Sequence, residues 1–138
     1  MAGSGKDGTT NTAVATWRGG WLCSVDAGGY QLTVDEPSSV GGTGRGPMPT
    51  DLLLASLCSC YALALAWAAR RQGIDLPDLT VTATGTYDGQ CFGALELVVR
   101  TSLLPDVVEP LIEPAKRVCY VSNTLLDPPG MDVVIARE

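Results

Sequence analysis

The chain has 138 residues, 46% of them hydrophobic and 17% charged, with a net charge of −6 and a pI of about 4.5. That composition suits one globular domain with a core of its own, small enough to gain from association. The acidic balance, with no basic run or basic–aromatic stripe, sets nucleic acid aside as a partner. The absence of histidine removes His-based acid–base catalysis, Ser-His-Asp and Cys-His nucleophiles and most catalytic zinc sites.

Residues 1–11 read as a polar, Gly-rich flexible tail and 12–138 as a single domain. Three short strands come first: "TAVATW" (12–17), "WLCSV" (21–25) and "YQLTVDE" (30–36). They alternate or carry β-branched and aromatic residues, and Gly19-Gly20 and Gly28-Gly29 separate them at hairpin spacing. "PSSVGGTGRGPMP" is a flexible stretch. Its "GGTGRG" (41–46) reads as a loop, because neither a Walker-type lysine motif nor a strand-linked G-x-G-x-x-G is present. Pro49 and Asp51 suit a first helical turn, Leu52–Ala69 is almost wholly apolar or small, and Gly73 is the C-cap candidate. A helix apolar all round is buried or spans a membrane. Its richness in Ala, Ser and Cys, and its place between strand patterns, favour burial, with a partner subunit as the cover.

"LTVTATGTYDG" (79–89) and "FGALELVVRTSLL" (92–104) form a predicted hairpin around "DGQC". Residues 106–118 have helical spacing, with Pro110 and Pro114 predicting bends or two short helices. Ser122 and Asn123 are read as caps for the turn after Cys119. Pro128, Pro129 and Gly130 then lead into a last strand, "MDVVIA". The order βββ–α–ββ–α–β predicts an α+β domain with helices on one face of antiparallel sheets.

Five cysteines, Cys23, Cys58, Cys60, Cys91 and Cys119, make an odd count with no secretory pattern ahead of them. A reducing, cytoplasmic setting is therefore expected rather than a disulfide-stapled fold. C-x-C occurs but C-x2-C does not, so no metal is expected. Cys58 and Cys60 point about 200° apart on a helix and share no pocket. Cys23 and Cys91 read as structural or incidental, and Trp17, Trp21 and Trp67 as core or dimer-interface residues.

Three stretches resemble the OsmC/Ohr-like superfamily (osmotically inducible protein C / organic hydroperoxide resistance), in its OsmC-like branch. They are "GPMPTDLLLASLCSC" (46–60), "RRQGIDLPDLTVTATGTYD" (70–88) and "AKRVCYVSNTLL" (115–126), and the "DEP" before the Gly-rich loop also fits. The resemblance covers roughly 12–136. It implies an OsmC-like fold: antiparallel sheets wrapped around a long central helix in an intertwined homodimer. It also implies a thiol peroxidase for organic hydroperoxides, recycled by an external dithiol such as the lipoyl-type reductants of one branch, with no cofactor and no membrane partner.

By that resemblance Cys60 is the peroxidatic and Cys119 the resolving cysteine. An arginine before the central helix activates the thiol, either Arg45 or Arg18, and Asp51 matches the branch's acidic residue. The chain departs from the family pattern at Thr50, at Cys58 in place of a small residue, and at Tyr120 in place of a proline. The alternative function is a non-catalytic dimer holding a small hydrophobic or thiol-reactive ligand between subunits.

Overall fold

The structure is a computed structural model that describes residues 7–137. It divides into two compact units, one ending at Ala55 and one beginning at Ser56. Of the segment read as a tail, 1–6 lie outside the described residues, and 7–11 are exposed and belong to no strand or helix.

The first unit is a three-stranded antiparallel sheet in the order β1 (Ala13–Trp17), β2 (Cys23–Ala27), β3 (Tyr30–Val34). Gly28 and Gly29, with φ of 61° and 87°, supply the two left-handed positions that a tight β2–β3 hairpin needs. Asp26 receives the Gly29 N–H and the Gln31 amide, at 3.1 and 2.8 Å, and braces that turn. The loop after β3 folds back hard against it. A side chain at Gly42 would lie 1.9 Å from the Glu36 carbonyl oxygen, and one at Gly46 2.0 Å from that of Thr33, so both positions are closed to anything larger than glycine.

Helix α1 (Pro49–Arg71) starts in the first unit and runs on into the second. Proline fills its first position, where a missing N–H costs nothing. The Asp51 carboxylate turns back to accept the Met48 N–H at 3.0 Å, the acidic half of a capping box. At the other end Gly73 (φ 68°) donates to Arg70 O at 3.2 Å and Ile74 to Ala69 O at 2.9 Å, a Schellman cap. The predicted C-cap is therefore the observed one.

In the second unit, Leu57, Tyr61, Ala64, Leu65, Ala68 and Ala69 form a buried stripe along α1, at the spacing of one helix face. Leu111, Ala115 and Cys119 complete the buried set. The helix is not buried all round: Leu63 is 63% exposed. By length and composition alone α1 could cross a membrane; the stripe shows that it also serves as a core helix.

Strands β4 (Thr80–Asp88) and β5 (Cys91–Arg100) pair antiparallel from Thr80↔Arg100 to Asp88↔Cys91, with Gly89 (φ 63°) opening the turn. Asp78 ties off the open end: its carboxylate accepts from the Ser102 N–H and hydroxyl, both at 2.8 Å, and from Thr101 at 3.1 Å.

Three sequence expectations need correction. Residues 105–118 form one continuous helix, α2 (Pro105–Val118), despite Pro110 and Pro114. Pro114 has no N–H for the Pro110 carbonyl, and the Gln72 side-chain amide takes that place at 3.4 Å. Burial of Leu111 and Ala115 holds the helix through the two missing rungs.

A further helix, α3 (Tyr120–Leu126), follows at once, where only a capped turn was expected. Ser122 and Asn123 do cap, giving hydrogen bonds to the carbonyls of Cys119 and Arg117, both at 3.2 Å. Finally, "MDVVIA" forms no strand. Residues 128–137 carry no regular structure, and Met131, Val133, Val134 and Ile135 are 83–92% exposed. A strand exists only as a pair, and no described strand is paired with this segment.

Candidate functional site

The second unit brings Cys60 and Cys119 together. Cys60 lies mid-way along α1 and is half-buried. Cys119 sits in extended geometry (φ −83°, ψ 97°) between α2 and α3 and is fully buried. Neither is in a disulfide. Burial pushes the Cys60 thiol up from its ordinary range, and the hydrogen-bonded, like-charged neighbour Cys119 pushes it further. The backbone N–H groups of Val121 and Tyr120 act the other way, because they donate to the sulfur and favour the thiolate. Among the described residues no cation enters this set. The break between α2 and α3 thus does two things: it presents the second thiol, and it aims two N–H groups at the first.

Tyr61, next to Cys60, is buried, and that burial raises its hydroxyl pKa, with the Cys119 and Glu113 charges adding to the effect. It lines an apolar cavity of about 450 Å³ together with Leu57, Leu95, Leu97, Val99 and Ile112, with Ser122, Asn123 and Lys116 supplying polar groups. Lys116 is paired with Glu113 at 3.4 Å, an exposed contact of little energetic weight. The chemistry available is that of a dithiol, with an apolar cavity at the neighbouring Tyr61 whose wall includes neither cysteine.

In the first unit, Arg18 and Arg45, which the sequence leaves as alternatives, line one concavity of about 270 Å³. The carboxylate of Asp35 is also in its wall, 1% exposed. It accepts from the Thr43 hydroxyl at 2.5 Å and from the N–H groups of Glu36, Arg45 and Thr43 at 2.7, 3.1 and 3.3 Å. The Thr43 hydroxyl, with these N–H groups, lowers the Asp35 pKa to about 2, against the opposing effect of burial. Asp35 therefore shapes the loop that carries Arg45. Sequence reasoning used it only as part of "DEP". The available signal was a carboxylate just ahead of a Gly-rich loop, whose backbone N–H groups need acceptors. Asp51, by contrast, is exposed and occupied as a helix cap.

Asp35 sets an acid limit for this unit. A carboxyl whose folded pKa is depressed adds stability that is fully present above its unfolded value of 3.8 and is lost as pH falls towards 2. Thermal melts between pH 5 and pH 2.5 should show a steep loss for the wild type. Asp35→Asn should be less stable than wild type at pH 6 and lose less over that acid window. Parallel losses in both proteins would remove Asp35 from this role.

The comparisons with known proteins give the chain's family. The chain matches the OsmC-like protein family over residues 42–133, which covers both cysteines and the whole of α1, and it belongs to that family. It is similar to the organic hydroperoxide resistance protein OsmC of Legionella pneumophila, at 27% identity and a TM-score of 0.66, over 87% of this chain and 91% of that one. The OsmC-like protein of Mycoplasma pneumoniae shares the fold, at 19% identity and a TM-score of 0.72, over 88% and 90% of the two chains. An uncharacterised Bacillus subtilis protein, YmaD, is 27% identical over 62 residues; the match spans 45% of this chain and 41% of that protein. The fold is thus OsmC-like, and the kinship supports a redox role in peroxide resistance.

Proposed function

We propose that the protein is a thiol peroxidase for organic hydroperoxides, with Cys60 as the attacking thiol and Cys119 as the resolving one. The contact between the two thiols carries this reading. The Cys60 thiolate attacks the outer peroxide oxygen, the O–O bond breaks, and the alcohol leaves as Cys60 becomes a sulfenic acid. The Cys119 sulfur then attacks the Cys60 sulfur, a disulfide forms and water departs. An external dithiol reopens the disulfide by exchange and is itself oxidised to a disulfide.

The apolar cavity beside Tyr61 supports an organic rather than an inorganic peroxide. The raised Cys60 thiol calls for a cation, and Arg45 or Arg18 is the proposed source. A homodimer is part of the same proposal. Exposed Leu63 on α1, the uncovered strand β1 and the apolar stretch 131–135 are surfaces that a second copy would cover.

The test is direct. One equivalent of cumene hydroperoxide added to the reduced chain should give an intramolecular Cys60–Cys119 disulfide, seen by intact mass and peptide mapping. An oxidised product that leaves both thiols free would count against the reading.

One observation favours a second reading: burial pushes the Cys60 thiol towards its protonated form. Left so, the cavity would hold a small hydrophobic or thiol-reactive ligand without turnover.

A further inference from the structure

We propose that Tyr61 is a further catalytic residue of the peroxidase: its hydroxyl donates to the carbon-bound oxygen of the organic hydroperoxide as that oxygen leaves. This role rests on the peroxidase reading above and adds to it the group that serves the leaving alcohol. When the Cys60 thiolate attacks the outer oxygen, the O–O electron pair passes to the inner oxygen, which becomes an alkoxide. The outer oxygen keeps its own proton and stays on sulfur as the sulfenic acid. The alkoxide must therefore take a proton from elsewhere. A phenol beside it supplies that proton through the hydrogen bond and is itself reprotonated by water. The backbone N–H groups of Tyr120 and Val121 do not serve here, because they are turned on the Cys60 sulfur.

Tyr61 follows Cys60 on α1, so the two side chains leave the helix about 100° apart. It is 5% exposed and belongs to the wall of the apolar cavity, which includes neither cysteine. Tyr61 is thus the link between the space for the organic group and the thiol that attacks. The Cys119 charge is felt at its hydroxyl, on the side of the thiol pair. No described residue takes that hydroxyl in a hydrogen bond. Yet among the described residues no fully buried side-chain oxygen or nitrogen is left without a partner. The hydroxyl is therefore not sealed in and opens to the cavity that its residue lines. The other polar side chains of the wall are engaged. Ser122 and Asn123 donate to the carbonyls of Cys119 and Arg117, both at 3.2 Å, and Lys116 pairs with Glu113 at 3.4 Å. A largely buried phenol with an unused O–H favours an occupant that accepts it. Burial, with the Cys119 and Glu113 charges, keeps the phenol protonated, as a donor must be.

Reduced wild type and Tyr61→Phe should be compared in stopped-flow single turnovers with cumene hydroperoxide, followed as loss of the Cys60 thiol. Tyr61→Phe deletes one oxygen and leaves the ring in the buried stripe, and a matched Tm checks the fold. Cys60 of the variant should oxidise about tenfold more slowly or more. The fall should be in the limiting rate rather than in the half-saturating concentration, because the hydrogen bond strengthens as charge builds on the oxygen. Peracetic acid, whose leaving acetate needs no proton, should oxidise both proteins at similar rates. Alkylation of Cys60 by iodoacetamide, which breaks no O–O bond, should also be equal in the two. In the wild type alone, cumene hydroperoxide should show a larger solvent deuterium isotope effect than iodoacetamide, a readout that needs no variant. Equal cumene hydroperoxide rates in the two proteins, or no such isotope effect, would overturn the role of Tyr61 and leave the peroxidase reading standing. Equal slowing towards all three reagents would overturn it as well, by showing that the substitution disturbs the thiol itself. A wild-type Cys60 that cumene hydroperoxide leaves reduced would remove the peroxidase reading, and the role of Tyr61 with it.

Discussion

Cys60→Ser is expected to cut dithiol-dependent reduction of cumene hydroperoxide by about 10³-fold or more, to the level of the uncatalysed reaction, because in the proposed mechanism it removes the sulfur that attacks the peroxide. Cys119→Ser should behave differently. Its first turnover should survive, leaving a sulfenic acid on Cys60 that a dimedone-type trap would capture, while recycling through an internal disulfide is lost. Stopped-flow single turnovers and steady-state assays separate the two variants. Turnover indifferent to Cys60→Ser would transfer the function to ligand binding.

The pH profile adds a second readout. Burial pushes the Cys60 thiol up, so without a cation the first-turnover rate should keep rising with pH beyond the ordinary thiol range. A profile already level at neutral pH identifies an activating cation, and Arg45→Ala or Arg18→Ala then shows which arginine supplies it.

The largest stability effect is expected at Leu111. This α2 residue is 1% exposed and belongs to the buried set that also contains Leu65 and Cys119. Leu111→Ala should cost about 3 kcal/mol, the removed side chain's transfer energy plus the cavity it leaves. For a chain of this size that is a Tm drop of about 10 °C, measurable by calorimetry. A shift of only a degree or two would mean that α2 closes over the gap. The geometry at Cys119, which follows directly on α2, should loosen with it, so Leu111→Ala should also slow Cys60–Cys119 disulfide formation.

Much of this architecture could be read from residue order. The run from Pro49 to Arg71 carries its own start and stop signals, and the hairpins are marked by glycine pairs and alternation. The cysteine pair was found through the motifs around Cys60 and Cys119, not through spacing, since 59 residues of chain cannot say that two thiols touch. Helix α3 escaped notice because Tyr120, Val121 and Thr124 favour strands, and a helix of seven residues has too short a period to show itself. The prolines of α2 misled for another reason: the compensating donor, Gln72, lies 38 residues away. Asp35 was invisible as an organiser because its partners lie up to ten residues downstream, in a loop with no pattern of its own. The last strand failed on the opposite ground. Its residues are suited to a strand, but strand formation depends on a neighbour, which no propensity supplies.

The unequal burial of the two thiols has a consequence of its own. Cys60 is partly open while Cys119 is fully covered, so the pair has an outer and an inner member. Anything dissolved in the surrounding water, whether a peroxide, an alkylating reagent or a second oxidant molecule, meets the outer sulfur first. In the proposed mechanism the inner sulfur is the one held in reserve for the moment the outer one is oxidised. Condensation then competes at contact range against an oxidant that must still diffuse in. If the proposed peroxidase activity holds, a dithiol arranged in this way is protected from its own substrate: Cys60 is hard to drive up to the irreversible sulfinic and sulfonic acids while Cys119 is sheltered beside it.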